Sequence, residues 1–152
     1  MKKVLLFFVG VLMLFTLTGC SKTSLTTENV KSIASNRGLG VVDVKSQFEG
    51  STQIIEANVI QDGTLAWQVE FYVLDNVDNA ISMFNTNVVK FEQYETGANA
   101  KVTVSGKNYD TYSLTTTDRY RYLSRVDNTL LYADVDINQK DNVKAFVEEL
   151  GY

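Results

Sequence analysis

The sequence predicts an α+β domain: a twisted antiparallel sheet of about six or seven strands, with about three helices packed largely on one face. Three observations predict it. Strand-length runs follow one another across short turns bearing Gly, Asp or Asn, the pattern of antiparallel pairing. Three other segments repeat apolar residues at helical spacing, each opened by a capping residue. Length sets the scale: removing a leader of 19 from the 152 residues leaves 133. That is one domain, able to bury roughly two-thirds of its unfolded surface without disulfides.

The leader is read first. Met1-Lys2-Lys3 is basic, and residues 4–17 are almost wholly apolar, interrupted by Gly10 and Thr16. Small residues follow at Thr18 and Gly19. A basic start, an apolar run and a small-residue cleavage site make a secretory signal. The run falls short of the ~20 apolar residues of a spanning helix. Leu17-Thr18-Gly19-Cys20 resembles the lipobox of bacterial lipoproteins. The resemblance implies that the Cys20 thiol takes a diacylglycerol group. It also implies cleavage just before Cys20 and a new amine that can itself be acylated. Cys20 is the only cysteine, so an internal disulfide is impossible and lipidation accounts for the thiol. Two acyl chains anchor stably where one is marginal. The expected organisation is residues 1–19 as signal, 20–26 as lipidated cysteine and polar tether of up to ~20 Å, and 27–152 as one domain. The expected location is the extracytoplasmic side of the cell membrane or outer envelope.

The domain elements follow in order. A helix over residues 27–37 is capped by Thr26 or Thr27, faces inward with Val30, Ile33 and Ala34, and ends at Gly38. Residues 41–45 form a short strand. Residues 53–60 and 65–74 pair around Asp62-Gly63. Their apolar residues are odd-numbered (Ile55, Ala57, Val59; Leu65, Trp67, Val69, Phe71, Val73). One shared face then requires a three-residue loop that pairs Val59 with Leu65 and puts Gly63 in the left-handed position. A second helix starts at Asp75 or Asn76 and ends near Tyr94. Its stripe is Val77, Ala80, Ile81, Phe84, Val88 and Phe91. Strands 100–104 and 108–114 flank Ser105-Gly106-Lys107, with no register fixed. A last helix over 139–150, capped by Asn138 and ended by Gly151, faces inward with Val143, Phe146, Val147 and Leu150. A helix-plus-strands unit begins near Thr27 and again near Asn76, a topological repeat without residue identity.

The run RYRYLSRVDNTLLYADVD, residues 119–136, concentrates three arginines and three tyrosines. A two-residue turn at Asp127-Asn128 resolves it. One face then holds Tyr120, Tyr122, Ser124 and Val126 against Val135, Ala133, Leu131 and Thr129. The other pairs Arg119 with Asp136, Arg121 with Asp134, Leu123 with Tyr132 and Arg125 with Leu130. The arginines are mostly neutralised across the hairpin rather than forming a basic platform. Leu123, Arg125, Leu130 and Tyr132 are either covered by another element or form a partner-contact patch.

The chemistry is bounded by what is missing. With no histidine there is no Ser-His-Asp triad, Cys-His pair or histidine-bound metal. Carboxylate, Ser-Lys and oxygen-ligated cation chemistry remain. Asp134-Val-Asp136-Ile-Asn138 begins like a calcium loop, but Gln139 and Ala145 stand where the loop needs Gly and Glu. Alternating aspartates on a wet strand face explain it better. Tyr109, Tyr112, Tyr120, Tyr122 and Tyr132 suit strands as well as they suit ligand stacking. The leader holds two of the 14 basic residues and none of the 18 acidic ones, so the mature chain carries 12 against 18, a net −6. That disfavours nucleic acid and bare anionic lipid as partners. The reading is a membrane-tethered, non-catalytic binding or interaction module of the bacterial envelope. No cofactor or metal is expected. Its partners would be the membrane, through lipid on Cys20, and an envelope protein or glycan. The alternatives are a carboxylate enzyme such as a glycan hydrolase, needing two carboxylates ~5–9.5 Å apart, and a structural or chaperone-like subunit.

Overall fold

The computed structural model describes residues 20–94 and 97–152; the signal segment expected over 1–19 lies outside the described residues. Helix α1 (Thr27–Asn36) opens with a capping box: the Asn29 amide donates to Thr26 Oγ1 at 3.2 Å, and the Asn29 side chain reaches back to the Thr26 amide. The chain leaves it through Gly38 at φ +70°, the left-handed step that glycine makes at little cost. Helix α2 (Val77–Glu92) is capped by Asn76, and α3 (Lys140–Leu150) ends at Gly151, φ 78°. A 3₁₀ turn (Ile137–Gln139) precedes α3 and is capped by Asp136, which accepts from the Asn138 amide at 2.9 Å. The N-cap of α3 is Gln139, which makes no side-chain cap bond, so the cap expected from Asn138 is not made.

Seven strands form one sheet: β1 (Gly40–Asp43), β2 (Ile54–Gln61), β3 (Gln68–Leu74), β4 (Ala98–Ser105), β5 (Tyr109–Thr116), β6 (Arg119–Val126) and β7 (Thr129–Asp136). Their order is β1-β2-β3-β7-β6-β5-β4, every neighbouring pair antiparallel. The fold is α+β. The β6–β7 hairpin has the expected register at every pair, from Arg119 opposite Asp136 to Val126 opposite Thr129. Asp127 makes the turn at φ 48°. The open register of the β4–β5 hairpin is Ser105 opposite Asp110 through Lys101 opposite Leu114.

The β2–β3 hairpin differs from expectation. Ala57 pairs with Tyr72 and Val59 with Glu70, leaving residues 62–67 as the loop. The Asp62 carboxylate organises this wider loop, accepting from the Thr64 and Trp67 amides, both at 3.1 Å, and from the Thr64 hydroxyl. Leu65, not Gly63, takes positive φ (59°), and its side chain is exposed. The change in pairing is odd in residue number, so β2 turns over relative to β3. Ala57 packs with Tyr72 and Leu74, while Ile60 packs with Val69 and Phe71 on the opposite face.

The expectation failed because both faces of the sheet are buried, so a single apolar face does not fix register. Two of the three helices share one face: Val30 and Ala34 of α1 and Val143, Phe146, Val147 and Leu150 of α3 cover Val69, Phe71, Tyr120, Tyr122, Leu131 and Ala133. Helix α2 crosses the other face, where Ala80, Phe84 and Phe91 cover Leu74, Tyr112, Leu114, Leu123 and Leu130. Every residue of β6 except Arg119 is buried in consequence. The stripe of α2 is narrower than expected, since Val77 and Ile81 stay exposed. The repeat of helix plus strands is topological only, because its leading helices α1 and α2 lie on opposite faces.

Candidate functional site

The arginines singled out in the sequence are committed to structure. Arg125 is buried, and its guanidinium donates to Asp110 Oδ2 from Nε at 3.0 Å and Nη2 at 2.6 Å. Its Nη1 donates to the Asn108 and Asp127 carbonyls at 3.2 and 3.0 Å. Its carboxylate comes from β5, the strand on the other side of β6, so the hairpin alone could not reveal it. Arg119 and Arg121 both reach Asp134, at 2.8 and 3.3 Å. Asp136, expected opposite Arg119 as its ion-pair partner, is turned to the 3₁₀ cap instead. Arg119 thus takes Asp134 rather than the expected Asp136 as its ion-pair partner, and both calcium-like aspartates are occupied by these bonds.

Leu123, Arg125, Leu130 and Tyr132 do not make an exposed partner patch. Helix α2 buries the two leucines completely, and Arg125 is 5 % exposed. Tyr132 alone remains half-buried, and it lines a cleft. Of the other dense tyrosines, Tyr112, Tyr120 and Tyr122 are core.

That cleft, about 480 Å³, lies between α2 and the sheet. Glu70, Tyr72 and Leu74 are alternate residues of β3 and so share its floor; Tyr132 of β7 lies opposite Glu70. Asn79, Met83, Thr86 or Asn87, and Lys90 recur along one side of α2 at intervals of three or four and form a wall. Phe48, Ser51, Gln53 and Ile54 form the other wall. Phe48 stands edge-on to Tyr72, ring centres 5.7 Å apart at 84°. The Tyr72 hydroxyl donates to Glu70 Oε2. Burial, then that carboxylate, pushes the Tyr72 phenol far above its ordinary range, so it stays a neutral donor. Asn87 is fixed by a bond from its Nδ2 to the Met83 carbonyl at 2.9 Å.

This arrangement can bind. It offers one carboxylate, one ammonium, several amides and hydroxyls, and aromatic rings, which together suit a small polar ligand. Among the described lining residues Glu70 is the single carboxylate, and no hydrogen bond joins Ser51 or Ser82 to Lys90 as a nucleophile–base pair would. The described residues hold no group of three His, Cys, Asp or Glu able to share a metal. Sequence reasoning missed this cleft. The signal for it was the even-numbered Tyr72 and Leu74, apolar on a strand whose odd positions were already apolar, which marks a second buried face.

Cys20 is exposed. The segment expected to be a free tether is instead bonded to the body, its Lys22 main chain meeting the Asn108 side chain. Among the described residues no helix is long and apolar enough to cross a membrane. Compared with known proteins, the chain matches no family model, no curated protein and no solved structure.

Proposed function

We propose that this protein is a lipid-anchored, non-catalytic binding module of the bacterial envelope, held through diacylglycerol on Cys20, with its ligand site in the cleft between α2 and the sheet. The lipobox Leu17-Thr18-Gly19-Cys20 supports the anchor. The observation that carries the binding reading is the cleft lining: Glu70, Lys90, Tyr72 and Tyr132 beside amide side chains, with no second carboxylate and no paired nucleophile among the described residues. The ligand class that fits is a short polar molecule with hydroxyl or amide groups, such as an envelope glycan fragment or peptide. A hydrolase would need a partner for Glu70 across the scissile bond. A chaperone-like subunit working through Leu123 and Leu130 has no surface to work with, since α2 covers both.

The test has two parts. Replacing Cys20 with Ala should release the protein from membranes or leave the precursor uncut. Normal processing and fractionation of that variant would reject the anchor. Glycan fragments and short envelope peptides titrated into isotope-labelled protein should shift Tyr72, Tyr132 and Lys90 resonances saturably, with the ligand recovered intact and binding weakened by Glu70→Gln. A cleaved ligand, or shifts confined to other surfaces, would reject the binding reading.

A further inference from the structure

The segment after Cys20 is fastened at two points. At Lys22, the main-chain N–H donates to Asn108 Oδ1 at 3.0 Å, and the carbonyl accepts from Asn108 Nδ2 at 2.8 Å. The asparagine amide thus bonds the segment as a neighbouring strand would. Asn108 is itself held, since its Nδ2 also donates to Asp127 Oδ2 at 3.0 Å and its carbonyl accepts from the Asp127 amide at 2.9 Å. The Lys22 ammonium sits 5.1 Å from the centre of the Tyr109 ring, and burial lowers its pKa. At Leu25, the side chain packs into the core beside α1 and α3, against the cluster that holds the buried Tyr152. The Cys20 carbonyl also accepts a long bond, 3.4 Å, from the Lys107 amide.

We propose that this clasp holds the anchored domain in one orientation, with the β4–β5 and β6–β7 turns toward the lipid headgroups. The proposal rests on the lipid anchor at Cys20. One residue, Ser21, separates Cys20 from the clasp at Lys22, a reach of two chain steps or about 7 Å. A headgroup layer is of order 5–8 Å deep. The thioether therefore cannot sit at the glycerol level unless the turn carrying Lys107 and Asn108 lies at the bilayer surface. Lys22 and Lys107 beside Cys20 suit anionic headgroups. The opposite end of the sheet, the turn at Thr117 and Asp118, is one eight-residue strand away, about 26 Å.

The acylated chain can report this directly. Cys20 is the only native thiol and acylation consumes it, so Lys107→Cys and Thr117→Cys each introduce one site for a fluorophore; both positions are exposed. In vesicles of phosphatidylcholine and phosphatidylglycerol carrying a headgroup-attached quencher, the label at 107 should be quenched several-fold more than that at 117. Asn108→Ala should bring the two toward equality. Acylated protein that sediments with the vesicles yet quenches equally at both positions would overturn the orientation while leaving the anchor standing. Protein that is not acylated and does not sediment would overturn the anchor and the orientation with it. In the soluble Cys20→Ser chain, the Lys22 amide should exchange slowly with solvent. Exchange at the unprotected rate would show that the clasp does not exist.

Discussion

Removing the Asp110 carboxylate should strand a buried guanidinium. The Arg125 side chain is 6 % exposed and that of Asp110 27 %. Asp110→Ala deletes two charge-assisted bonds, from Nε and Nη2, and leaves the two carbonyl bonds of Nη1 in place. Breaking a fully buried pair from one side costs ~3–5 kcal/mol. Because a quarter of the Asp110 side chain already meets water, screening lowers this, and the expected loss is about 2–3 kcal/mol. Arg125→Met removes the charge but leaves the Asn108 and Asp127 carbonyls without that donor, for a loss of about 1–2 kcal/mol. The double substitution should be more stable than the sum of the single effects implies, by at least ~1 kcal/mol. Urea unfolding of the four proteins measures this, with a constant slope showing that the same surface is exposed in each. If Asp110→Ala stays within ~0.5 kcal/mol of the parent, Arg125 is not a structural ion but a solvated one. The account of Arg125 as a buried ion neutralised from β5 would then be wrong.

Three further outcomes follow from the packing. Leu123→Ala should cost ~2–5 kcal/mol, whereas Leu65→Ala in the exposed loop should change stability by less than ~0.5; similar values for both would contradict the placement of α2 over the sheet. A Cβ at Gly106 would stand 2.0 Å from Tyr109 Cε1, while one at Gly63 meets nothing within 4 Å, so Gly106→Ala should cost ~1–3 kcal/mol by overpacking and Gly63→Ala almost none; denaturation midpoints decide it. Burial raises the phenol pKa of Tyr72, Tyr120, Tyr122, Tyr132 and Tyr152. Above the ordinary tyrosine value of 10.0 the unfolded chain loses protons that the folded one keeps. Stability should therefore hold below about pH 10 and fall above it, by up to ~1.4 kcal/mol per pH unit for each such tyrosine. Tyrosinate absorbance rising before the loss of far-ultraviolet circular dichroism would reject that linkage.

Elements whose information is local were legible in the chain. The β6–β7 hairpin was fixed by one turn, one apolar face and facing charges only two strands wide, and its register stands at every pair. Both ends of α1 and the C-terminal end of α3 were legible for the same reason, since a cap and a terminal glycine act within one turn of helix, whereas the cap expected from Asn138 is not made. The β2–β3 register was not legible, because parity counts one buried face and this sheet has two. Asp62, read as a turn residue, holds six loop residues rather than three through its own side chain.

By itself, then, the sequence determined the class of fold, the caps of α1 and α2, the central hairpin and the expectation of a lipid-anchored chain without histidine chemistry. Tertiary structure alone decided that α2 crosses to the face opposite α1 and α3. That one placement buries Leu123 and Leu130, brings the wall of Asn79 and Lys90 over Glu70 and Tyr72, and so makes a cleft where a patch was expected. The reason is physical: an amphipathic helix carries its apolar stripe in its own residues, but which of two apolar sheet faces it covers depends on where the chain re-enters the sheet, and no local pattern encodes that.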